Sequence, residues 1–114
     1  MARVTGIGGI FFRARAPEAL AAWYLTHFDI TFPWNQDAGP TVFAPFNEKT
    51  DYFPAAKQWM INLRVDDIDA VVARLKAAGI AVETRAEWDT PDTGRFARIA
   101  DPDGNPVELW QPPA

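Results

Sequence analysis

Along the first half of the chain, the pattern of apolar and polar positions predicts a strand, then a helix, then further strands. Apolar residues from Pro17 to Phe28 recur at the i, i+3, i+4, i+7 and i+8 spacing of an amphipathic helix, and Pro17 is tolerated in a first helical turn. Short apolar segments bounded by Gly, Pro and Asn predict buried strands. These strands are expected at 7–13, 30–34 and 41–46, before a polar connector at 47–54.

The second half has the same order with clearer boundary signals. A strand is expected at 59–65. Asp66 or Asp67 can cap the helix that follows this strand, and Gly79 ends that helix. The buried stripe of this helix comprises Ile68, Val71, Val72 and Leu75. Beyond it we expect a strand at 81–85 and a hairpin pairing 95–100 with 106–111, because the Asp-Gly of the turn at 101–105 favours positive φ.

The two halves together indicate one α+β domain, residues 1–114, in which a unit of roughly 50 residues is used twice. Arg13 leads into the first helix as Arg64 leads into the second. We expect module one at about 4–54 and module two at about 58–112, each a βαβββ unit. A chain of 114 residues is long enough for one core and too short for two.

Composition excludes several classes of protein. The net charge of −4 argues against nucleic acid as a partner, since such binders cluster Lys and Arg. The chain has no Cys and a single His, so disulfides and thiolate metal sites are excluded. No apolar run is long enough to span a bilayer, and the first residues lack the apolar region of a signal peptide. A cytoplasmic location with no membrane partner is the expectation.

The repeat and three sequence segments resemble the vicinal oxygen chelate superfamily, which includes glyoxalase I, extradiol dioxygenases and bleomycin resistance proteins. The segments are Glu18–Tyr24, Val65–Asp69 and Asp101–Trp110. The resemblance implies that the two modules curl into a cupped half-barrel with the ligand on the concave side. It also implies a homodimer.

The resemblance also implies four metal-ligand positions, one on each of four strands, and this chain departs from them. They fall on Gly9, at or near Phe43, on Met60 and on Glu108, of which only Glu108 can bind a metal. A catalytic transition-metal site uses about three N, O or S ligands from the protein. We therefore expect no metal and no cofactor. The single histidine, His27, lies on the stripe of the first helix and is interpreted as structural.

Strand alternation predicts which residues would line the concave side. Glu108 shares a face with Trp110, opposite Val107 and Leu109. The expected ligand-binding residues are Phe11, Arg13, Phe43, Met60, Asn62, Arg64 and Trp110, with Glu108 as the one candidate catalytic residue. For each there is an ordinary alternative: core packing for the aromatic rings, a solvated strand end for Arg13, and a vestigial or surface carboxylate for Glu108.

Three functions remain open at this point. The leading hypothesis is a metal-independent protein that binds a small apolar or aromatic molecule, for example to sequester a drug or metabolite. The second is a glyoxalase-like lyase or isomerase, or a dioxygenase-related enzyme, with a degenerate metal site in which Glu108 acts as a base or metal ligand. The third is a module that regulates a protein partner, a hypothesis that no residue pattern supports directly.

Overall fold

Two helices and one three-stranded sheet form the regular structure of residues 2–114, the part of the chain that this computed structural model describes. The helices are α1 (Pro17–Phe28) and α2 (Ile68–Ala77), and the strands are β1 (Ile61–Arg64), β2 (Arg95–Ala100) and β3 (Pro106–Gln111). A single 3₁₀ turn, Ala86–Trp88, precedes β2. Neither helix is long and apolar enough to cross a membrane.

Both helices begin and end where the sequence predicts. Helix α1 has Pro17 in its first turn and ends at Asp29, whose φ of 58° is left-handed and whose N–H bonds the carbonyl of Leu25. Helix α2 is capped by Asp67, whose side chain accepts a hydrogen bond of 3.1 Å from the N–H of Ala70. Gly79, with φ of 82°, follows its last turn.

The sheet has the order β1-β3-β2, with β1 parallel and β2 antiparallel to the central strand β3. The β2–β3 hairpin has the predicted bounds, and Gly104 in its turn adopts a φ of 78°. In this register both Asn62 and Arg98 lie opposite Glu108. The central strand therefore receives one polar neighbour from each side at the same level.

One face of the sheet packs against the helices to form the core. Its fully buried members include Leu75 of α2 and Val107 and Leu109 of β3. The remaining buried apolar residues are Leu20, Tyr24, Leu63, Ile68, Val71, Ala97 and Ile99. The helix stripes and alternate strand positions thus meet in one cluster, as their periodicities predict.

Helix α1 is joined to the hairpin by a buried hydrogen bond. The Tyr24 hydroxyl donates to Oδ2 of Asp101, 2.7 Å away, and both residues are less than a tenth exposed. Three residues further along α1, the carbonyl of His27 accepts a hydrogen bond of 3.1 Å from Arg74 of α2. These two polar contacts set the position of α1 relative to the second half.

The strands expected in the first half are absent from the described structure. Segments 7–13, 30–34 and 41–46 have no ladder partners, and most of their side chains are exposed. A strand exists only when a neighbouring strand accepts and donates its hydrogen bonds, which an apolar pattern alone does not supply. Pro33, Pro40 and Pro45 further remove backbone donors from this stretch.

Two expected strands of the second half are shorter than predicted. The strand expected at 59–65 is reduced to β1, since Trp59 lies outside the sheet and is two-thirds exposed. The strand expected at 81–85 is a single bridge in which Glu83 and Arg98 exchange two backbone hydrogen bonds of 2.8 Å. The α+β content is confirmed, and every regular strand found within residues 2–114 lies in the second half.

The Tyr24–Asp101 hydrogen bond generates the first prediction. Tyr24→Phe should lower the free energy of unfolding by about 1.5 to 3 kcal/mol, because the bond is made to a buried charged group. Urea denaturation at neutral pH measures this loss. An unchanged free energy of unfolding in Tyr24→Phe would show that the hydrogen bond between α1 and the hairpin does not stabilise the fold.

The same bond predicts a loss of stability at high pH. Burial raises the pKa of Tyr24 above its ordinary value of 10, and the charge of Asp101 adds to the effect. The contribution of this hydrogen bond to the free energy of unfolding should be complete below pH 10. It should decline as the pH rises further, because only the neutral phenol can donate the bond. Tyr24→Phe should make this decline smaller, because only the contribution of Tyr52, whose pKa is also raised, then remains. Tyr52→Phe leaves the Tyr24–Asp101 bond intact and should retain the part of the decline that Tyr24 causes.

Candidate ligand-binding site

A polar cluster lies on the face of the sheet opposite the helices. Glu108 is at its centre, on β3, and is only 6% exposed although it is charged. The two-residue period of the strands places Glu108 on the face opposite the fully buried Val107 and Leu109. A carboxylate so well removed from water requires partners.

Both oxygens of Glu108 accept hydrogen bonds from neutral donors. The Tyr52 hydroxyl lies 2.5 Å from Oε2, and Nδ2 of Asn62 lies 2.8 Å from Oε1. The charge of the carboxylate is balanced by Arg98, whose Nη2 is 3.9 Å from Oε2. That distance allows an ionic attraction but exceeds a hydrogen bond.

Arg98 is held between two aromatic rings. Its guanidinium carbon lies 4.8 Å from the centre of the Tyr52 ring and 5.6 Å from that of Trp88. Its Nη1 donates to the backbone carbonyl of Tyr52 over 2.9 Å. Its Nε and Nη2 are buried and find no hydrogen-bond acceptor among residues 2–114.

Tyr52 comes from the connector between the two halves and covers the cluster. The rings of Phe46 and Phe53 pack against one another, and Phe46 also packs on Tyr52, each with centres 5.7 Å apart. Burial raises the pKa of Tyr52, as does its hydrogen bond to Glu108, while Arg98 opposes the shift. The phenol is therefore a neutral donor at physiological pH.

A second aromatic group lies at the far end of the same face. The rings of Phe96 and Trp110 are stacked with centres 6.4 Å apart, and the Trp110 indole donates to the carbonyl of Thr93 over 2.8 Å. Arg64, in register with Trp110, donates to the carbonyl of Asp37 over 3.0 Å.

A cleft of about 350 Å³ runs along the outer side of β2. Arg98 and Glu83 supply its charged lining, and the other lining residues are Pro54, Ala81, Val82, Ile99, Ala100, Gly104 and Pro106. Most of these side chains are apolar, so the cleft suits a ligand that has few polar groups besides those facing Arg98.

The structure brings together part of the predicted site. Glu108 and Asn62 are in contact, and Arg64 and Trp110 are neighbours on the adjoining stretch of the two strands. Met60 is half-buried just before β1. Phe11, Phe43 and Arg13 are not brought to the cluster: Phe11 is 94% and Phe43 78% exposed, and Arg13 is also exposed.

Sequence reasoning missed three residues of the cluster, Tyr52, Trp88 and Arg98. Arg98 could have been found, because the predicted hairpin register places it opposite Glu108. Tyr52 lies in an irregular connector and Trp88 in a single 3₁₀ turn, and neither segment has a periodicity that predicts where its side chains go.

The residues around Glu108 do not fit a metal ion. No group of three or more His, Asp or Glu side chains in residues 2–114 could hold one. Arg98 carries a positive charge 3.9 Å from the carboxylate, which would repel a cation bound there. His27 lies on α1 with its ring 5.0 Å from that of Trp23.

Comparison with known proteins gives one match along most of the chain and several shorter ones. The model of the Glyoxalase/Bleomycin resistance protein/Dioxygenase superfamily matches residues 6–109. The protein called "Putative glyoxylase CFP32" in Mycobacterium bovis, and its counterpart in Mycobacterium tuberculosis, are 43% identical over 53 residues. This stretch is 46% of the chain and 20% of each relative.

Two solved structures from Streptomyces sp. CB03234 are also similar. TnmS3, an antibiotic binding protein, is 40% identical with a TM-score of 0.39, over 55% of this chain and 52% of that one. A glyoxalase/bleomycin resistance protein is 40% identical with a TM-score of 0.37, over 54% of each chain. The chain thus aligns with about half the length of these proteins and a fifth of the mycobacterial ones.

The hydrogen bonds to Glu108 predict the cost of neutralising it. Glu108→Gln should lower the free energy of unfolding by about 1.5 to 3 kcal/mol, because it removes a charged acceptor and leaves Arg98 without a counter-charge. Thermal and urea denaturation measure this. Glu83→Gln is the matched control, since Glu83 is about half exposed and should change stability by less than about 0.5 kcal/mol. A raised melting temperature for Glu108→Gln would instead identify a vestigial carboxylate.

Proposed function

The chain belongs to the glyoxalase/bleomycin resistance protein/dioxygenase superfamily, and from that membership we propose that it is a metal-independent binding protein for a small apolar or aromatic molecule. The proposal rests on the surroundings of Glu108, the one residue able to bind a metal among the four positions that the family resemblance implies. Its oxygens are occupied by Tyr52 and Asn62, and the adjacent positive charge is a guanidinium. Such a site can hold a ligand without a metal.

Aromatic rings and apolar cleft walls supply the means of binding. Trp88 and Tyr52 flank Arg98, and the stacked Phe96 and Trp110 lie on the same sheet face. Burial of a planar molecule against such rings is favourable without any chemical step. Sequestration of a drug or metabolite is the form of this function that we favour, because the family includes bleomycin resistance proteins.

An enzymatic role for Glu108 has less support. A general base needs a lone pair within reach of the substrate proton. Both oxygens of Glu108 already accept hydrogen bonds, and the residue is 6% exposed. A lyase or isomerase reaction would first require the substrate to reach this buried carboxylate.

Metal independence is tested by elemental analysis and calorimetry. We expect the purified protein to contain well under one transition-metal ion per chain, and an aromatic ligand from a thermal-shift screen to bind equally well before and after chelation. In the two-module half-barrel that we propose below, the triple variant Gly9→His, Phe43→Glu and Met60→His should gain metal affinity, because it restores the family's ligand types. One tightly held metal ion per wild-type chain would contradict the proposal.

We further propose that the two-module half-barrel is completed in a homodimer. The first half exposes large apolar side chains, with Phe11 at 94%, Phe32 at 103% and Phe43 at 78%. Large apolar side chains exposed in this number are typical of surfaces that bind another molecule. A second copy of the chain, with the same unpaired segments, would supply strands for them to pair with.

Light scattering tests the dimer. The protein should have twice the 12.7 kDa mass of the chain. Phe11→Asp combined with Phe43→Asp should shift it towards the monomer, because both charges would be buried on association. Circular dichroism checks that α1 and α2 persist in the variant. A wild-type protein that remains monomeric at high concentration would contradict the dimer.

A further inference from the structure

We propose that the Nε–Nη2 edge of Arg98 binds the carboxylate of an aromatic carboxylic acid, an inference that rests on the binding function proposed above and specifies its ligand. Arg98 is 14% exposed and lines the cleft beside β2.

Arg98 is held in place by contacts that use only part of its hydrogen-bonding capacity. Nη1 donates to the Tyr52 carbonyl, and the rings of Tyr52 and Trp88 hold the guanidinium from its sides. Nε and Nη2 have no acceptor in residues 2–114. Buried donors of a charged group without an acceptor are costly, so an acceptor brought by a ligand would relieve that cost.

The shape of the free edge selects a carboxylate. Nε–H and one N–H of Nη2 point in parallel and match the two oxygens of a carboxylate in a bidentate pair. Glu108 does not fill this role. The oxygens of Glu108 accept hydrogen bonds from Tyr52 and Asn62. The distance of 3.9 Å from Nη2 of Arg98 to Oε2 of Glu108 is too long for a hydrogen bond.

The surroundings of the edge select an aromatic acid. A ring attached to the carboxylate would meet the face of Trp88 and the apolar side chain of Val82, which lines the cleft. The free edge is covered in the structure, so the ligand must displace the ring of Tyr52. The connector residues around Tyr52 are largely exposed, which makes this movement feasible.

Arg85 provides an internal contrast. It also lies against Trp88, with its guanidinium carbon 5.4 Å from the ring centre. Its Nε and Nη2 both donate to Oε2 of Glu83, over 2.9 and 2.7 Å. Arg85 therefore has the same neighbouring ring as Arg98 but no free edge.

Calorimetry with matched acid and amide probes tests the proposal. The pairs are benzoate with benzamide, 2-naphthoate with 2-naphthamide, and 9-anthroate with its amide. Wild type should bind the best-fitting acid at least about tenfold more tightly than its amide, as expected for a charge-assisted bidentate pair. The net charge of −4 would by itself favour the amide, so this preference requires a local cation.

Variants assign the preference to Arg98. Arg98→Gln should abolish the preference for the acid over the amide. Arg98→Lys should retain only part of this preference, because an ammonium lacks the planar edge of a guanidinium. Arg85→Gln should keep the wild-type ratio of acid to amide affinity. Melting temperatures without probe report folding, and Arg98→Lys decides the matter if Arg98→Gln does not fold.

The possible failures are distinguishable. Equal binding of acid and amide by wild type, or equal loss of the preference in Arg85→Gln, overturns the role of Arg98 and leaves the aromatic-binding function standing. Failure of wild type to bind any of the six probes overturns the aromatic-binding function together with this inference.

Discussion

The buried carboxylate of Asp101 is the constraint on which the rest of the structure depends. It accepts from the Tyr24 hydroxyl, from the backbone N–H of Asp103 and Asn105, and from the Asn105 side chain, over 2.7 to 2.9 Å. The backbone bonds set the turn between β2 and β3. The length of that turn determines the register in which Arg98 faces Glu108. One carboxylate thus positions both the first helix and the polar cluster.

Glu108 is buried by the same means as Asp101 but with partners of a different kind. Each carboxylate accepts a hydrogen bond from one of the two tyrosines of the chain. The partners of Asp101 include neighbours two and four residues away, whereas Tyr52 and Asn62 are 56 and 46 residues from Glu108. Local bonds close with little loss of chain entropy, while distant ones depend on the whole fold. The local bonds of Asp101 therefore hold the turn by themselves, whereas its bond to Tyr24 and both bonds of Glu108 depend on the whole fold.

This difference also explains how much could be predicted from the sequence. The bounds of α1, α2 and the hairpin depend on local signals such as Pro17, the Asp67 cap and Gly104, and all were correct. The strands of the first half require a partner strand, which no local signal specifies. Period-two alternation placed Asn62 and Glu108 on one face. Tyr52 and Trp88 reach the cluster from irregular segments whose path only tertiary packing determines.

A guanidinium beside Glu108 differs from a metal ion in what it can do. A metal polarises a bound oxygen as a Lewis acid and lowers the pKa of bound water. The guanidinium of Arg98 offers only directional N–H donors. It can hold an anionic group firmly but cannot generate a nucleophile. This difference is the reason that we propose recognition of a ligand, and not its chemical conversion, as the function of the cluster around Glu108.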